Sequence, residues 1–136
     1  MIDFISLYKE NSWNVYNGNP YLSDYQPMVD AMGEVIIQVD DNDYQGDTRV
    51  LLRKGSQYGV LIFGWGSCSG CDALQSCDTW EDVQELGESL ENSIRWFDDL
   101  DSLKAYWKIK YNPGEYFWHK EESKKFFDKL FNYEES

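Results

Sequence analysis

At 136 residues with a net charge of −13, the chain has the size of one domain of roughly 100–150 residues and a charge that disfavours direct binding to nucleic acid or to an anionic membrane. Its 42% hydrophobic and 17% aromatic residues supply a core and exclude disorder over most of the length. No apolar run approaches the ~18 residues of a membrane span, and Met1-Ile2-Asp3-Phe4 lacks the basic and apolar segments of an export signal, which predicts a cytoplasmic protein.

In chain order, a short helical turn is expected near Ile2 to Glu10, followed by loop rich in Tyr, Asn and Asp. Gln26 to Met32 suits another turn of helix: Pro27 stands near the first helical position, where its missing N–H costs nothing, and Gly33 provides the stop. Glu34 to Asp40 is β-branched and partly alternating, the pattern of a strand. Thr48 to Lys54 and Tyr58 to Trp65 are two further apolar runs, and Gly55-Ser56-Gln57 between them suits a hairpin. Val50 and Leu52 alternate with Arg49, Leu51 and Arg53, so one face of this meander is expected to be buried and the other partly wet.

Beyond the glycine- and serine-rich stretch from Gly64 to Gly70, the residues Trp80, Val83, Leu86, Leu90, Ile94 and Phe97 recur at helical spacing and predict a helix over residues 80–98. Thr79 caps it, with Asp82 three residues on in an approximate capping box. A second helix is expected from Ser102 to Lys110, with Leu103, Tyr106 and Trp107 inward and Asn112-Pro113-Gly114 as its breaker. A last one, from about Glu121 to Tyr133, buries Phe126, Phe127, Leu130 and Phe131. The expected fold is a single α+β domain in which a three-stranded antiparallel meander packs against about three helices.

Cys68, Cys71 and Cys77 are the only cysteines, an odd number that argues against a disulfide framework. The two-residue gap between Cys68 and Cys71 lets both sulfurs face one point, as in a thioredoxin-like redox pair or half of a zinc knuckle. Cys77 and the single histidine, His119, would then complete four metal ligands. A structural zinc site normally shows two paired ligand sets, however, and a redox motif opens a helix within a βαβ unit rather than leaving a meander. Packed cysteines under a glycine-rich turn are the expected reading, with no cofactor. The same turn offers an alternative role as a ligand loop for a small molecule or nucleotide, built from Trp65, Gly66, Ser67, Ser69 and Gly70, because backbone N–H groups at a helix N-terminus favour anions. The surrounding acids oppose that. The segment Asp41 to Asp47 partly imitates a calcium loop, but Leu52 stands where the bidentate Glu belongs, so an exposed connection between strands is expected.

The acidity is concentrated: residues 1–48 carry a net −8 and residues 67–103 a net −9, against +3 for residues 49–66 and +1 for residues 104–136. Glu81, Asp82, Glu85, Glu88 and Glu91 share the predicted helix with almost no lysine among them. A solvated helix face normally interleaves signs to gain a few tenths of a kcal/mol per pair. Uncompensated acids instead suit either a plain solvated face that confers solubility or a surface matched to a basic partner, for which turns of ~5.4 Å space carboxylates on a scale comparable with the phosphates of a strand. Trp13, Trp65, Trp96, Trp107 and Trp118, with ten tyrosines, either fill an aromatic-rich core or exceed what a small core needs, in which case some, Trp96 among them, are expected to be exposed as anchors of a protein interface or a base-stacking pocket. His119 precedes a helix and cannot be tied to Cys71 or to a serine by spacing, so no catalytic set is expected.

The block from Tyr58 through Gly64-Trp65-Gly66-Ser67-Cys68-Ser69-Gly70-Cys71-Asp72-Ala73-Leu74-Gln75, with the acidic helix ending Ser93-Ile94-Arg95-Trp96-Phe97, resembles small uncharacterised proteins encoded by phages and their bacterial hosts. The resemblance covers roughly residues 58–97 and implies a setting rather than an activity: a small accessory phage protein, a class that often binds and blocks a host protein. The expected function is therefore a non-enzymatic acidic interaction protein, an inhibitor of the anti-defence, anti-CRISPR or nucleic-acid-mimic type. As a monomer or homodimer, it would meet a basic or nucleic-acid-binding surface of a host protein through Glu81, Asp82, Glu85, Glu88, Glu91 and Trp96.

Overall fold

Residues 1–68, 70–111 and 120–135 are described by a computed structural model. Helix α1, Phe4–Lys9, starts where the Asp3 carboxylate accepts the Ser6 N–H at 3.2 Å. The next segment, expected to be loop, holds a 3₁₀ turn, Ser12–Asn14, and a small hairpin of β1, Val15–Tyr16, and β2, Asn19–Pro20. Asn17 and Gly18 turn it with φ of 51° and 80°, the left-handed pair of a type I′ turn. Helix α2, Gln26–Met32, has Pro27 in its first turn as expected and ends at Gly33. Gly33 is extended rather than left-handed. Its lack of a side chain matters because a Cβ there would lie 2.9 Å from the Arg53 carbonyl oxygen.

Strands β3, Glu34–Asp40, β4, Gly46–Lys54, and β5, Gln57–Trp65, form the expected antiparallel meander. Lys54 pairs with Gln57 across a two-residue turn led by Gly55 at φ 62°. The partial alternation of β3 has a physical origin: Ile36 is an extra residue between the Val35–Leu52 and Ile37–Leu51 pairs, a bulge that shifts the face presented by the remainder of the strand.

Two expectations about this sheet are corrected. The helix from Trp80, α3, stops at Asn92, and Arg95–Phe97 form a fourth strand, β6, paired to β5 through Tyr58–Phe97, Gly59–Trp96 and Val60–Arg95. The Ser93 hydroxyl donates to the Leu90 carbonyl at 2.6 Å and closes the helix. The pairing is possible because Gly59 has no side chain, since a Cβ there would come within 2.5 Å of Ile94 Cγ2 and 2.9 Å of the Trp96 ring. Secondly, neither face of the sheet centre is wet: Val50, Leu51 and Leu52 are all fully buried. Val50, Leu52, Leu61 and Phe63 pack under α1, α2 and α3 with Phe4, Met28, Met32 and Val83. On the other face Leu51, Tyr58 and Val60 pack with Leu103, Phe126, Phe127 and Leu130 from α4, Leu100–Lys110, and α5, Lys120–Asn132. The sheet is thus the middle of three layers. Arg49, expected on a wet face, is buried and pairs with the buried Asp41 at 2.8 Å, so the Asp41–Asp47 loop closes around a guanidinium of the chain itself.

The capping box at α3 is present as expected, Thr79 Oγ1 accepting the Asp82 N–H at 3.1 Å and the Asp82 carboxylate accepting the Thr79 N–H at 3.3 Å. At α4, Asp99 caps through the Ser102 N–H at 2.7 Å, which holds its carboxyl below the usual range. Among the described residues no helix is long and apolar enough to cross a membrane.

Candidate functional site

The acidic helix presents its carboxylates unevenly. Glu81 and Glu85 are exposed, while Asp82, Glu88 and Glu91 are half-buried. Asp82 is occupied by the capping box, and Glu88 accepts a hydrogen bond from Gln84 Nε2 at 3.2 Å. No ion pair among the described residues engages Glu81, Glu85, Glu88 or Glu91. The two outer layers differ in charge: α3 holds five acids and no base, whereas α4 and α5 together hold seven lysines and four acids.

Trp96 is corrected in place. It lies on β6, half-buried against the core below α3, with Lys54 Nζ 5.7 Å from its ring. The structure nevertheless brings it to Glu91, because both line a hollow shared with Lys54 and Ile94 at the end of α3. The most exposed aromatic residues are elsewhere: Trp13, Tyr16 and Tyr21 are 85%, 68% and 73% exposed on or beside the β1–β2 hairpin, and Tyr44 is exposed on the Asp41–Asp47 loop. That hairpin is fastened to the start of α3, where the Trp80 indole N–H donates to the Gly18 carbonyl at 2.9 Å. Trp13 is among the aromatic residues that the sequence marks as surplus to the core, but its grouping with Tyr16 and Tyr21 is not expected from that excess. The signal for the grouping is the Asn17-Gly18 dipeptide, which places Tyr16 and Tyr21 at the two ends of one tight hairpin, ring centroids 6.3 Å apart.

The glycine and cysteine loop is organised by Asp72, a residue to which the sequence assigns no role. Asp72, 4% exposed, accepts hydrogen bonds from the Leu74 N–H at 2.8 Å, the Tyr25 hydroxyl at 2.9 Å and the Gln75 N–H at 3.2 Å on one oxygen, and from the Gly66 N–H at 2.9 Å on the other. Burial and the Asp72 carboxylate push the Tyr25 hydroxyl well above its ordinary pKa. Gly66 is buried and close-packed, a Cβ there lying 2.6 Å from the Cys71 carbonyl oxygen, whereas Gly70 faces open space. With its N–H on Asp72 and its carbonyl on Gln75 Nε2 at 3.1 Å, Gly66 has no amide left for an anion. Ser67 is exposed, Trp65 half-buried, and Ser69 lies outside the described residues.

The cysteines do not act as one group. Cys68 and Cys71, expected to be packed and free, are exposed and joined as a disulfide across a tight turn in which the Cys71 N–H donates to the Cys68 carbonyl at 3.1 Å. Cys77 alone is free and buried, its thiol donating to the Ala73 carbonyl at 3.3 Å. Burial first, and then Asp82, Asp72 and Asp78, push that thiol up to about 11, away from the thiolate needed for nucleophilic or metal chemistry. Among the described residues no three His, Cys, Asp or Glu side chains gather as metal ligands would; His119, like Trp118, lies outside them. Comparison of the chain with models of protein families, with curated proteins and with solved structures found no match in any of the three.

Proposed function

We propose that the chain is a non-enzymatic acidic interaction protein that binds a basic surface of another protein, with the outer face of α3 and the adjoining hairpin as its contact. In the phage setting that the resemblance implies, the partner is a host protein of defence or nucleic-acid handling and the chain is its inhibitor. The observation that carries this reading is the row Glu81, Glu85, Glu88 and Glu91, which runs along α3 without an ion-pair partner among the described residues. Like charges three or four residues apart repel by a few tenths of a kcal/mol per pair, a cost that a basic partner would turn into attraction. The aromatic cluster of Trp13, Tyr16 and Tyr21 beside the start of α3 supplies the rigid anchors that acids alone lack. Opposite charge on the α4–α5 layer would orient the approach, so that the acidic side leads.

Affinity capture from a bacterial lysate at about 0.05 M and about 0.5 M salt, followed by binding of the captured protein to purified variants, tests the reading. The expected partner is basic and retained only at low salt, because exposed charges are screened beyond ~10 Å at 0.1 M and more tightly above it. The triple variant Glu81→Lys, Glu85→Lys, Glu88→Lys is expected to bind at least about tenfold more weakly with an unchanged fold, most of the loss lying in the association rate. Equal binding by the triple variant would contradict the proposal, as would a partner whose retention ignores salt.

A further inference from the structure

We infer that the cleft between the start of α2 and the Asp40–Trp65 end of the sheet is a binding site for a guanidinium group. The cleft encloses about 230 Å³, below the roughly 300–1,000 Å³ of ordinary small-molecule pockets and suited to the head of one side chain or a comparably small cation. Phe63 and Trp65 line it from β5, and Tyr25 from the entrance to α2, with the Tyr25 and Phe63 rings 4.8 Å apart.

Its polar lining is one-sided in hydrogen bonding. The Trp65 indole N–H donates to Thr48 Oγ1 at 2.9 Å, and the Thr48 hydroxyl donates in turn to Asp40 Oδ1 at 2.6 Å. The Gln26 and Gln38 amides donate to each other at 2.9 and 2.8 Å and make further donations to Asp30 and Asp40. The Tyr25 hydroxyl donates to Asp72. These donors are occupied within the protein, and the exposed Ser23 hydroxyl is the one lining side-chain donor with no partner among the described residues, so most of the capacity left for a ligand is acceptor capacity. It resides in Asp24, whose Oδ1 takes the Gln26 N–H and whose other oxygen accepts no hydrogen bond among the described residues, and in Asp40, which accepts from Thr48 and Gln38 with capacity to spare, since a carboxylate offers about four acceptor sites. No lysine, arginine or histidine is among the described lining residues.

Such a surface repels anions and accepts a cation that only donates. Guanidinium meets that description and is also flat: it carries five N–H donors and no acceptor, forks onto carboxylates, stacks on aromatic faces and is weakly hydrated. An ammonium ion has three donors, no flat face and stronger hydration. A free small molecule and an arginine side chain of a partner present the same group. The cleft is separate from the acidic surface of the proposed function, because none of its lining residues belongs to α3.

Titration of ¹⁵N-labelled protein with methylguanidinium chloride, methylammonium chloride and a blocked Gly-Arg-Gly peptide, read at the Trp65 indole N–H, tests the assignment. Saturable shifts are expected with methylguanidinium and at least about tenfold weaker ones with methylammonium. The double variant Asp24→Asn, Asp40→Asn is expected to bind at least about tenfold more weakly; if it loses its native spectrum, Asp24→Asn alone carries the comparison. Peptide binding about tenfold tighter than methylguanidinium assigns the site to a partner's arginine, and equal binding assigns it to a free small molecule. The assignment is overturned by the absence of saturable shifts up to about 50 mM with either guanidinium probe, by an equal response to methylammonium, or by undiminished affinity in the Asp24 variants.

Discussion

Replacing Asp72 with alanine is expected to lower the unfolding free energy by about 3 kcal/mol and to release the loop between Gly66 and Gln75. The carboxylate is buried and accepts four hydrogen bonds, three from backbone N–H groups and one from a tyrosine. Hydrogen bonds to a charged acceptor contribute about 1.5–3 kcal/mol, and a buried donor left without a partner costs about 1–3. Removing the carboxylate strands the Gly66 N–H and the Tyr25 O–H donor, while the Leu74 N–H keeps the Tyr25 hydroxyl oxygen as an acceptor at 3.1 Å and the half-exposed Gln75 finds water. Asp72→Asn keeps the oxygen facing Leu74 but sets an amide NH₂ against the Gly66 N–H, so it should lose about half as much. Urea unfolding followed by tryptophan fluorescence measures both, and hydrogen exchange at Gly66 and Leu74 locates the effect. An unchanged midpoint in Asp72→Ala would contradict the role given to this carboxylate.

Gly87→Ala is expected to destabilise by about 2 kcal/mol, the opposite of what helix propensity dictates. Alanine in the middle of an exposed helix gains about 1 kcal/mol over glycine. In α3, however, a Cβ at Gly87 would lie 2.3 Å from Phe4 Cγ, with the rest of that fully buried ring immediately above. Helix α1 cannot easily withdraw, because Gln84 holds its start: Gln84 Oε1 accepts the Phe4 N–H at 2.8 Å, and Gln84 Nε2 donates to the Ile2 carbonyl at 2.7 Å. Overpacking of this kind costs about 1–3 kcal/mol or more, which outweighs the propensity gain. Combining Gly87→Ala with Phe4→Ala should give less than the sum of the two losses, since each relieves the other. A Gly87→Ala protein more stable than the parent would show that α1 does not dock on α3 as described.

The local determinants of the fold were legible where one rule acts alone. Thr79 and Asp82 mark the start of α3 by a capping box, and Pro27 and Gly33 bracket α2. The errors arise where two rules compete. Ile94 and Phe97 prolong the helical spacing of Leu90, yet Arg95-Trp96-Phe97 is held by a strand far away in sequence, at a position open only because residue 59 is glycine. Val50-Leu51-Leu52 is a continuous apolar run, the sign of a strand buried on both faces, but Arg49 and Arg53 on the same strand suggested a wet face. Arg49 is buried because Asp41 is buried beside it, a pairing that neither composition nor periodicity encodes. Of the candidate site, the unpaired acids of α3 were readable from the absence of lysine in that segment. The aromatic hairpin carries a local signal in Asn17-Gly18, whereas the Asp72 hub carries none, because Asp72 and Tyr25 meet only in three dimensions.

The most direct test of the central claim is a hydrogen-exchange footprint of the protein with and without the basic protein that it captures at low salt. Protection is expected over residues 13–21 and 78–92, with the α4 and α5 segments unchanged. Protection confined to α4 and α5, with α3 and the hairpin exchanging as in the free protein, would contradict the acidic-surface account.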